Sequence, residues 1–369
     1  MAFVSLLFIS YCLLILWMNG RFRRLKLFNN LTDMHEGVTV LVAARNESAN
    51  IERCIESILA QQYPANKLEL IIVDDQSTDN TASLVARYHA RGVKLISIKA
   101  DERSGKKAAI ARGIEVASHD LIMTTDADCI HPPKWINTMV AYREKTGAVF
   151  VAAPVAFRNE KNFFERFQSL DFLSLQGITA VAVENKFLNM CNGANLLYTK
   201  EAFNTVNGFE GIDKIPTGDD MLLMEKISKT IPDKIAYCYS AETVVTTDPE
   251  KSLHSFIQQR IRWASKSNVY KGFKIKLILL LLYLINLMLV ASFVIGLFDF
   301  RWMKMFILLL LFKYFSELPF MINVCRFFRK SILIKWFLIA QPFHAVYTVI
   351  AGGFGLMGKY NWKGRPAGL

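Results

Sequence analysis

The chain has 369 residues, is 52% hydrophobic, and carries 44 basic against 32 acidic side chains for a net charge of +12. It is too long for one average domain and too apolar for an ordinary soluble protein. From Arg260 onward there are 16 basic and 2 acidic residues, so the surplus lies beside apolar segments, where it meets anionic lipid headgroups; this excludes a basic nucleic-acid-binding face.

In chain order, Ala2 to Met18 is an apolar run closed by "NGRFRRLK". Because its positive charges follow the apolar stretch, it reads as an uncleaved anchor over residues 1–20, with the next domain in the cytosol. The six cysteines (Cys12, Cys54, Cys129, Cys191, Cys238, Cys325) show no paired or metal-type spacing, as suits a reduced compartment. From Val38 strand and helix signals alternate. "VTVLVAA" is a β-branched run, followed by Ile51, Cys54, Ile55, Ile58 and Leu59 at helical spacing. "LELIIV", "VKLISI" and "DLIMTT" are further strands, separated by helices through Leu84 to Tyr88 and over "KKAAIARGIEVA". Continuous apolar strands between helices predict an α/β domain over residues 36–267 with a mostly parallel sheet covered on both faces.

Polar clusters stand at the carboxyl ends of these strands, where such sheets bind ligands. "ARNE" (Ala44–Glu47) follows the first strand, "DDQSTD" (Asp74–Asp79) the second, and "DAD" (Asp126–Asp128) the fourth. Neither a Walker loop nor a G-x-G-x-x-G is present, so the usual phosphate cradles are excluded. Asp126 and Asp128 can face one Mg²⁺ or Mn²⁺ completed by water and phosphate; the other reading is a helix cap by Asp128 before "PPKWI". Asp219 and Asp220, in "IPTGDDMLLMEKI", open a helix, so one can cap it while the other takes a proton from an attacking hydroxyl. In "QQRIRWASKS", Gln259, Arg262 and Trp263 share one helical face, offering a guanidinium to phosphate and an indole to a sugar ring. The same stretch also reads as a basic amphipathic segment on the headgroups.

In the C-terminal region, 268–369, the stretch from Leu277 to Met357 is almost wholly apolar, with room for three membrane segments near 277–298, 303–324 and 332–357, each allowing the roughly 20 residues a bilayer needs. Lys313 and Glu317 sit four apart within one of them, either as an intramembrane pair or as a functional site. Three full spans put the basic tail "GKYNWKGRPAGL" outside, against its preference for the cytosol, unless Pro342 breaks the last segment. "FFERFQSLDFLSLQG" (Phe163–Gly177) reads as an amphipathic helix, either near an acceptor or packed in a core.

Together these motifs resemble the family 2 inverting glycosyltransferases with a GT-A fold, in the membrane-integrated branch of ceramide glucosyltransferases and polysaccharide synthases. The resemblance spans about Val38 to Trp263 and implies a Rossmann-like GT-A catalytic domain plus transmembrane α-helices. It places Glu47 near the nucleotide and matches Asp75, with Asp74 beside it, to the uracil-binding aspartate. It brings Lys106, or Lys107 in the adjacent register, to the diphosphate. Asp126 and Asp128 become the metal-binding D-x-D, and Asp220 the catalytic base. Asp219 stands where many relatives have Glu. Gln259, Arg262 and Trp263 form the Q-x-x-R-W motif at acceptor and diphosphate. The implied partners are a UDP-sugar donor, a lipid or glycan acceptor and membrane lipids, with no nucleic acid; the implied location is a bacterial cytoplasmic membrane. Four spans are few for an exporting channel, so the sequence favours one sugar transferred to a membrane lipid, with a processive polysaccharide synthase as the alternative. A mere nucleotide-sugar binder is disfavoured because both Asp126 and Asp220 are present.

Overall fold

The computed structural model describes residues 2–29, 36–213, 215, 217–266, 272–356, 359–362 and 365–368. It divides into a sheet unit (Lys26–Arg158 and Ala182–Asp248) and a helical unit (Met1–Leu25, Asn159–Val181 and Pro249–Leu369). The stretches 159–181 and 249–266 thus join the membrane helices, although they precede the expected boundary at 267–268, which itself lies outside the described residues.

With elements numbered along the chain, α1 (Ala2–Phe22) precedes the sheet unit. That unit runs β1 (Val38–Ala44), α2 (Ile51–Leu59), β2 (Leu68–Asp74), α3 (Thr81–Ala86), β3 (Val93–Ser97), α4 (Lys106–Val116), β4 (Leu121–Asp126) and α5 (Trp135–Thr146). After β5 (Phe150–Ala152) and β6 (Val155–Phe157) comes α6 (Phe163–Glu184), which crosses from one unit to the other. Then follow β7 (Leu196–Thr199), α7 (Lys200–Thr205), α8 (Met221–Thr230), β8 (Ile235–Tyr237) and β9 (Val245–Thr247). The seven-stranded sheet has the order β3-β2-β1-β4-β7-β5-β8. Strands β1 to β4 are parallel, and β7 runs antiparallel to both neighbours, so the sheet is mostly parallel, as its apolar strands predict.

The chain moves outward from β1 to β2 and β3, then crosses back to place β4 on the other side of β1. That reversal opens a crevice beyond the carboxyl ends of β1 and β4. Register sets the strand ends level, since Ala43 pairs with Asp126 and Ala44 with Asp74. Helix α4 lies close on this sheet because Gly113 has no Cβ; one there would stand 3.0 Å from a Leu41 methyl and 3.3 Å from Val73.

The helical unit adds α9 (Leu253–Ser265), α10 (Phe273–Gly296), α11 (Phe300–Phe327) and α12 (Ile334–Leu356). Four helices, Val4–Phe22, Phe273–Gly296, Phe300–Phe327 and the segment Ser331–Gly355, are long and apolar enough to cross a membrane. Helix α1 buries Phe8, Tyr11, Ile15, Met18 and Phe22, at alternating spacings of three and four, and exposes Leu6, Ile9, Leu13 and Leu16. Its partners on α11 advance with it: Phe8 meets Phe312, Cys12 meets Ser316 and Asn19 meets Asn323, so the two helices run parallel.

Helix α12 continues through Pro342 rather than ending there. A proline removes one backbone donor, a local loss that neighbouring helices and side chains can accommodate. Beyond Pro342, α12 packs along α9, with Phe256 against Tyr347 and Ile261 against Ala351. The α6 aromatics are packing groups: Phe163 meets Trp336 and Phe343, and Phe167 meets Phe256 and Tyr347. The basic tail forms β10 (Lys359–Trp362) and β11 (Arg365–Gly368); its Lys363 lies outside the described residues.

Candidate active site

The loops after β1 and β2 are built as a pair. Asn46 and Gln76 both take the left-handed backbone conformation, which few residues other than glycine and asparagine enter readily. Asn46 Oδ1 accepts the Thr78 N–H at 2.8 Å, and its own N–H donates to Ser77 Oγ. Arg45 donates to the carbonyls of Asp75 (2.6 Å) and Gln76 (3.0 Å), fastening one loop to the other. The Glu47 N–H donates to Thr81 Oγ1 and its carboxylate accepts from Asn50, so the side chain is oriented within the loop. Asp74 is buried and closes its turn by accepting the Ser77 N–H. Asp75, also buried, accepts the Gly105 N–H at 2.9 Å, tying the second loop to the start of α4. Gly105 has φ +110°, a conformation closed to side-chain-bearing residues without strain, so the glycine of the "GKKAAIARG" segment is required by the turn. Beside it a cavity of about 410 Å³ is lined by Arg103, Gly105, Lys106, Glu210 and Asp213 among others.

At the end of β4, Lys106 Nζ lies 2.6 Å from Asp126 Oδ1 and 3.0 Å from Asp219 Oδ2. Burial disfavours the ammonium, but the two carboxylates outweigh that effect and hold its pKa well above the ordinary lysine value. Asp126 keeps 38% of its side chain exposed and Lys106 20%. Asp220 is buried as the N-cap of α8, accepting the Met221 N–H at 2.7 Å and the Gly193 N–H at 3.3 Å. Gly193 makes this convergence possible, because a Cβ there would lie 2.9 Å from Lys106 Nζ and 3.0 Å from Asp219 Oδ2. Lys107 points elsewhere: its ammonium donates to the carbonyls of Ile212, Ile215 and Thr217 at 2.6, 2.7 and 2.9 Å, pinning the loop before Asp219.

Asp128 accepts from Thr247 Oγ1 at 3.0 Å, so the end of β9 orients the second carboxylate of "DAD". No cluster of three or more His, Cys, Asp or Glu suited to a metal occurs among the described residues. Two part-exposed hard-oxygen donors on one loop nevertheless fit Mg²⁺ or Mn²⁺, which bind one or two carboxylates and take remaining ligands from water and phosphate. Neighbouring groups are unsuited to rival roles. His131 is enclosed by Ser57 and Thr125, and burial pushes its pKa down to about 3. Burial, reinforced by Asp128 and Asp126, pushes the Cys54 and Cys129 thiols up, away from the reactive thiolate.

Gln259, Arg262 and Trp263 belong to the helical unit. Gln259 Nε2 donates to Glu250 at 2.9 Å, and Arg262 and Trp263 are half-buried on α9. The residue that orders this face is Arg260, which the motif leaves unspecified. It is buried, bonded to Asp171 at 2.8 Å, and its guanidinium lies 4.1 Å from the Trp263 ring centre and 4.6 Å from that of Phe256. A basic residue flanked by aromatics three and four positions away could have signalled it. Gly193 and Thr247 carried no such signal, because their contacts are distant in sequence.

A mostly parallel sheet, with carboxylates gathered at its switch point, places the candidate site at the carboxyl ends of the strands of an α/β domain. Residues 39–206 match glycosyl transferase family 2. Curated relatives include a poly-β-1,6-N-acetyl-D-glucosamine synthase of Staphylococcus aureus, 30% identical over 240 residues, covering 63% of this chain and 55% of that protein. Glycosyltransferase AglE of Haloferax volcanii is 28% identical over 174 residues, covering 47% of this chain and 55% of the relative. The matches thus span about half the length of these relatives. Among solved structures, a mannosyltransferase from Pyrobaculum calidifontis, in complex with GDP-Man and Mn²⁺, superposes with a TM-score of 0.54 at 17% identity, over 93% of this chain and 96% of its own. The fold is GT-A, the similarity to glycosyl transferase family 2 lies in residues 39–206, and the chain also has apolar helices long enough to cross a membrane.

Proposed function

We propose that the protein is a membrane-bound inverting glycosyltransferase that extends a β-linked glycan from a UDP-sugar, with N-acetylglucosamine, the sugar in the name of the synthase it resembles, as the first donor to test. The observation that carries the enzymatic reading is the convergence of Lys106, Asp126, Asp219 and Asp220 around Gly193 at the end of β4. The acceptor reading rests on the synthases among the relatives. It replaces the lipid acceptor favoured by the count of spans, because a polysaccharide synthase among the relatives fits a glycan acceptor better, and assembly of several chains can supply a wider path than one chain's helices.

In this reading Asp75 and Glu47 hold the nucleotide, and Lys106 meets the diphosphate. Asp126 and Asp128 hold a Mg²⁺ or Mn²⁺ ion, whose charge would offset that of the departing UDP. Asp220, fixed by two backbone N–H groups, accepts the proton of the glycan hydroxyl as its oxygen bonds to the anomeric carbon and the bond to UDP breaks. Trp263 offers its ring to the acceptor sugar. The sheet unit faces the cytosol, where the donor is made. The test is UDP release by the detergent-purified chain with Mg²⁺ or Mn²⁺, donor panel and glycan primer, beside Asp220→Asn. A lengthening polymer that requires one donor supports the proposal. Release that instead requires a lipid and yields one glycosylated lipid restores that acceptor, and no release from folded protein removes the enzyme reading.

A further inference from the structure

The Lys106 ammonium occupies the space between Asp126 and Asp219 that the missing Gly193 side chain leaves open. A dication on Asp126 would share that carboxylate with the ammonium, and the positive charges repel at such short range. Lys106 also has room to leave, since it and Asp126 are part-exposed and its stem is flexible, unlike Lys107, which three carbonyls pin. Asp219 supplies a second attachment, so loss of the Asp126 contact does not set the ammonium adrift.

We propose that Lys106 is a built-in occupant of the cation site: it neutralises Asp126 and Asp219 before metal arrives, competes with the divalent cation for Asp126, and afterwards stays tethered to Asp219, which aims it at the diphosphate. This rests on the metal-binding reading of Asp126 and Asp128. It gives Asp219 the role of a positioning residue, and it makes metal binding depend on the donor. The diphosphate draws the ammonium off Asp126 and offers the cation further ligands, so the metal binds weakly until the nucleotide is present. An empty site is thereby kept from holding a tightly bound, unproductive cation.

The experiment is Mn²⁺ titration by electron paramagnetic resonance on the full chain in detergent, with and without UDP, using the wild type, Lys106→Met, Lys106→Arg and Asp126→Asn. Lys106→Met is expected to bind Mn²⁺ about tenfold or more tighter without UDP, and to gain less from UDP, because the competing charge is gone. Lys106→Arg keeps the charge and is expected to stay near wild type. Should Lys106→Met unfold, as thermal melting will show, Lys106→Gln removes the same charge. If wild type with UDP binds Mn²⁺ through Asp126 but the neutral variants bind it no tighter without UDP, the competition is overturned while the metal reading stands. If no variant binds Mn²⁺ even with UDP, the metal reading falls and the inference with it.

Discussion

The lysine–carboxylate cluster of Lys313 and Glu317 in the helical unit and that of Lys106, Asp126 and Asp219 in the sheet unit are built to opposite ends. In the helical unit Lys313 is 1% exposed and lies 2.7 Å from Glu317; both also bond to Gln341, and Tyr11 donates to Glu317. In the sheet unit Lys106, Asp126 and Asp219 are part-exposed, and their contacts leave a face open to incoming groups. The first cluster spends its hydrogen-bonding capacity on α1, α11 and α12 and stitches three helices together. The second keeps exposed carboxylate for a ligand. Charge content alone does not mark a site; incomplete enclosure does. The even choice that the sequence leaves for Lys313 and Glu317 therefore falls to the structural side.

The largest effect that would sharpen this contrast is expected at Asp220. Asp220→Asn should lower UDP release about a thousandfold, within the range for a lost general base, while the thermal midpoint stays nearly unchanged because the amide oxygen can still cap α8. Equal loss of stability and activity would recast Asp220 as a helix cap. Next comes Lys313→Met, which strands Glu317 in an apolar setting and should cost about 3 kcal/mol of stability, read as a lowered melting point in detergent. The double variant Lys313→Met with Glu317→Leu should recover most of that loss and keep UDP release. A double variant that melts normally but releases no UDP would return this pair to the catalytic machinery.

The difference between the clusters also explains what was legible in the sequence. Strand ends carrying "ARNE", "DDQSTD" and "DAD" were readable because parallel strands of similar length put their last residues level, and the register of Ala43 with Asp126 and Ala44 with Asp74 does so. Helix α2 was readable because Ile51, Cys54, Ile55 and Ile58 repeat at helical spacing, and all four are buried. The antiparallel β7 was not, because strand direction follows the route of the preceding α6 and leaves no local pattern. Gly193 and the contacts of Lys107 were invisible for the same reason: the first matters through atoms of Lys106 and Asp219, the second through carbonyls more than a hundred residues away. The membrane segments were plain from hydropathy, yet the assignment of 159–181 to them depends on aromatic contacts that hydropathy does not encode.

Lys107 tests whether satisfaction rather than charge sets the role of a lysine beside the site. Lys107→Met removes three charge-assisted bonds but leaves carbonyls that water can partly reach, so a stability loss of about 2 kcal/mol is expected. The catalytic constant should fall with the loosened Asp219 loop, while donor-free Mn²⁺ affinity stays near wild type. A rise in that affinity, like the one expected of Lys106→Met, would mean that both lysines act as counter-ions and that pinning does not distinguish them.

The smallest effect at neutral pH concerns His131, a buried titratable group with saturated contacts, and so the sheet unit's own counterpart to the membrane cluster. Its two ring nitrogens face Ser57 and Thr125, and burial pushes its folded pKa down to about 3 from an ordinary 6.5. The unfolded chain therefore binds this proton more readily than the folded one between those values. The stability that the neutral imidazole contributes is complete above about pH 6.5 and declines as pH falls toward 3, by at most about 1.4 kcal/mol per pH unit. His131→Gln can keep one or both hydrogen bonds but cannot take up the proton. At pH 7 the variant should melt somewhat below wild type, and the gap should close, then reverse, as the solution is acidified. Carboxylates that titrate over the same range are common to both proteins and cancel in the difference. Parallel melting curves from pH 7 to 4 would show that His131 titrates normally, and that enclosure in the sheet unit is looser than in the membrane helices.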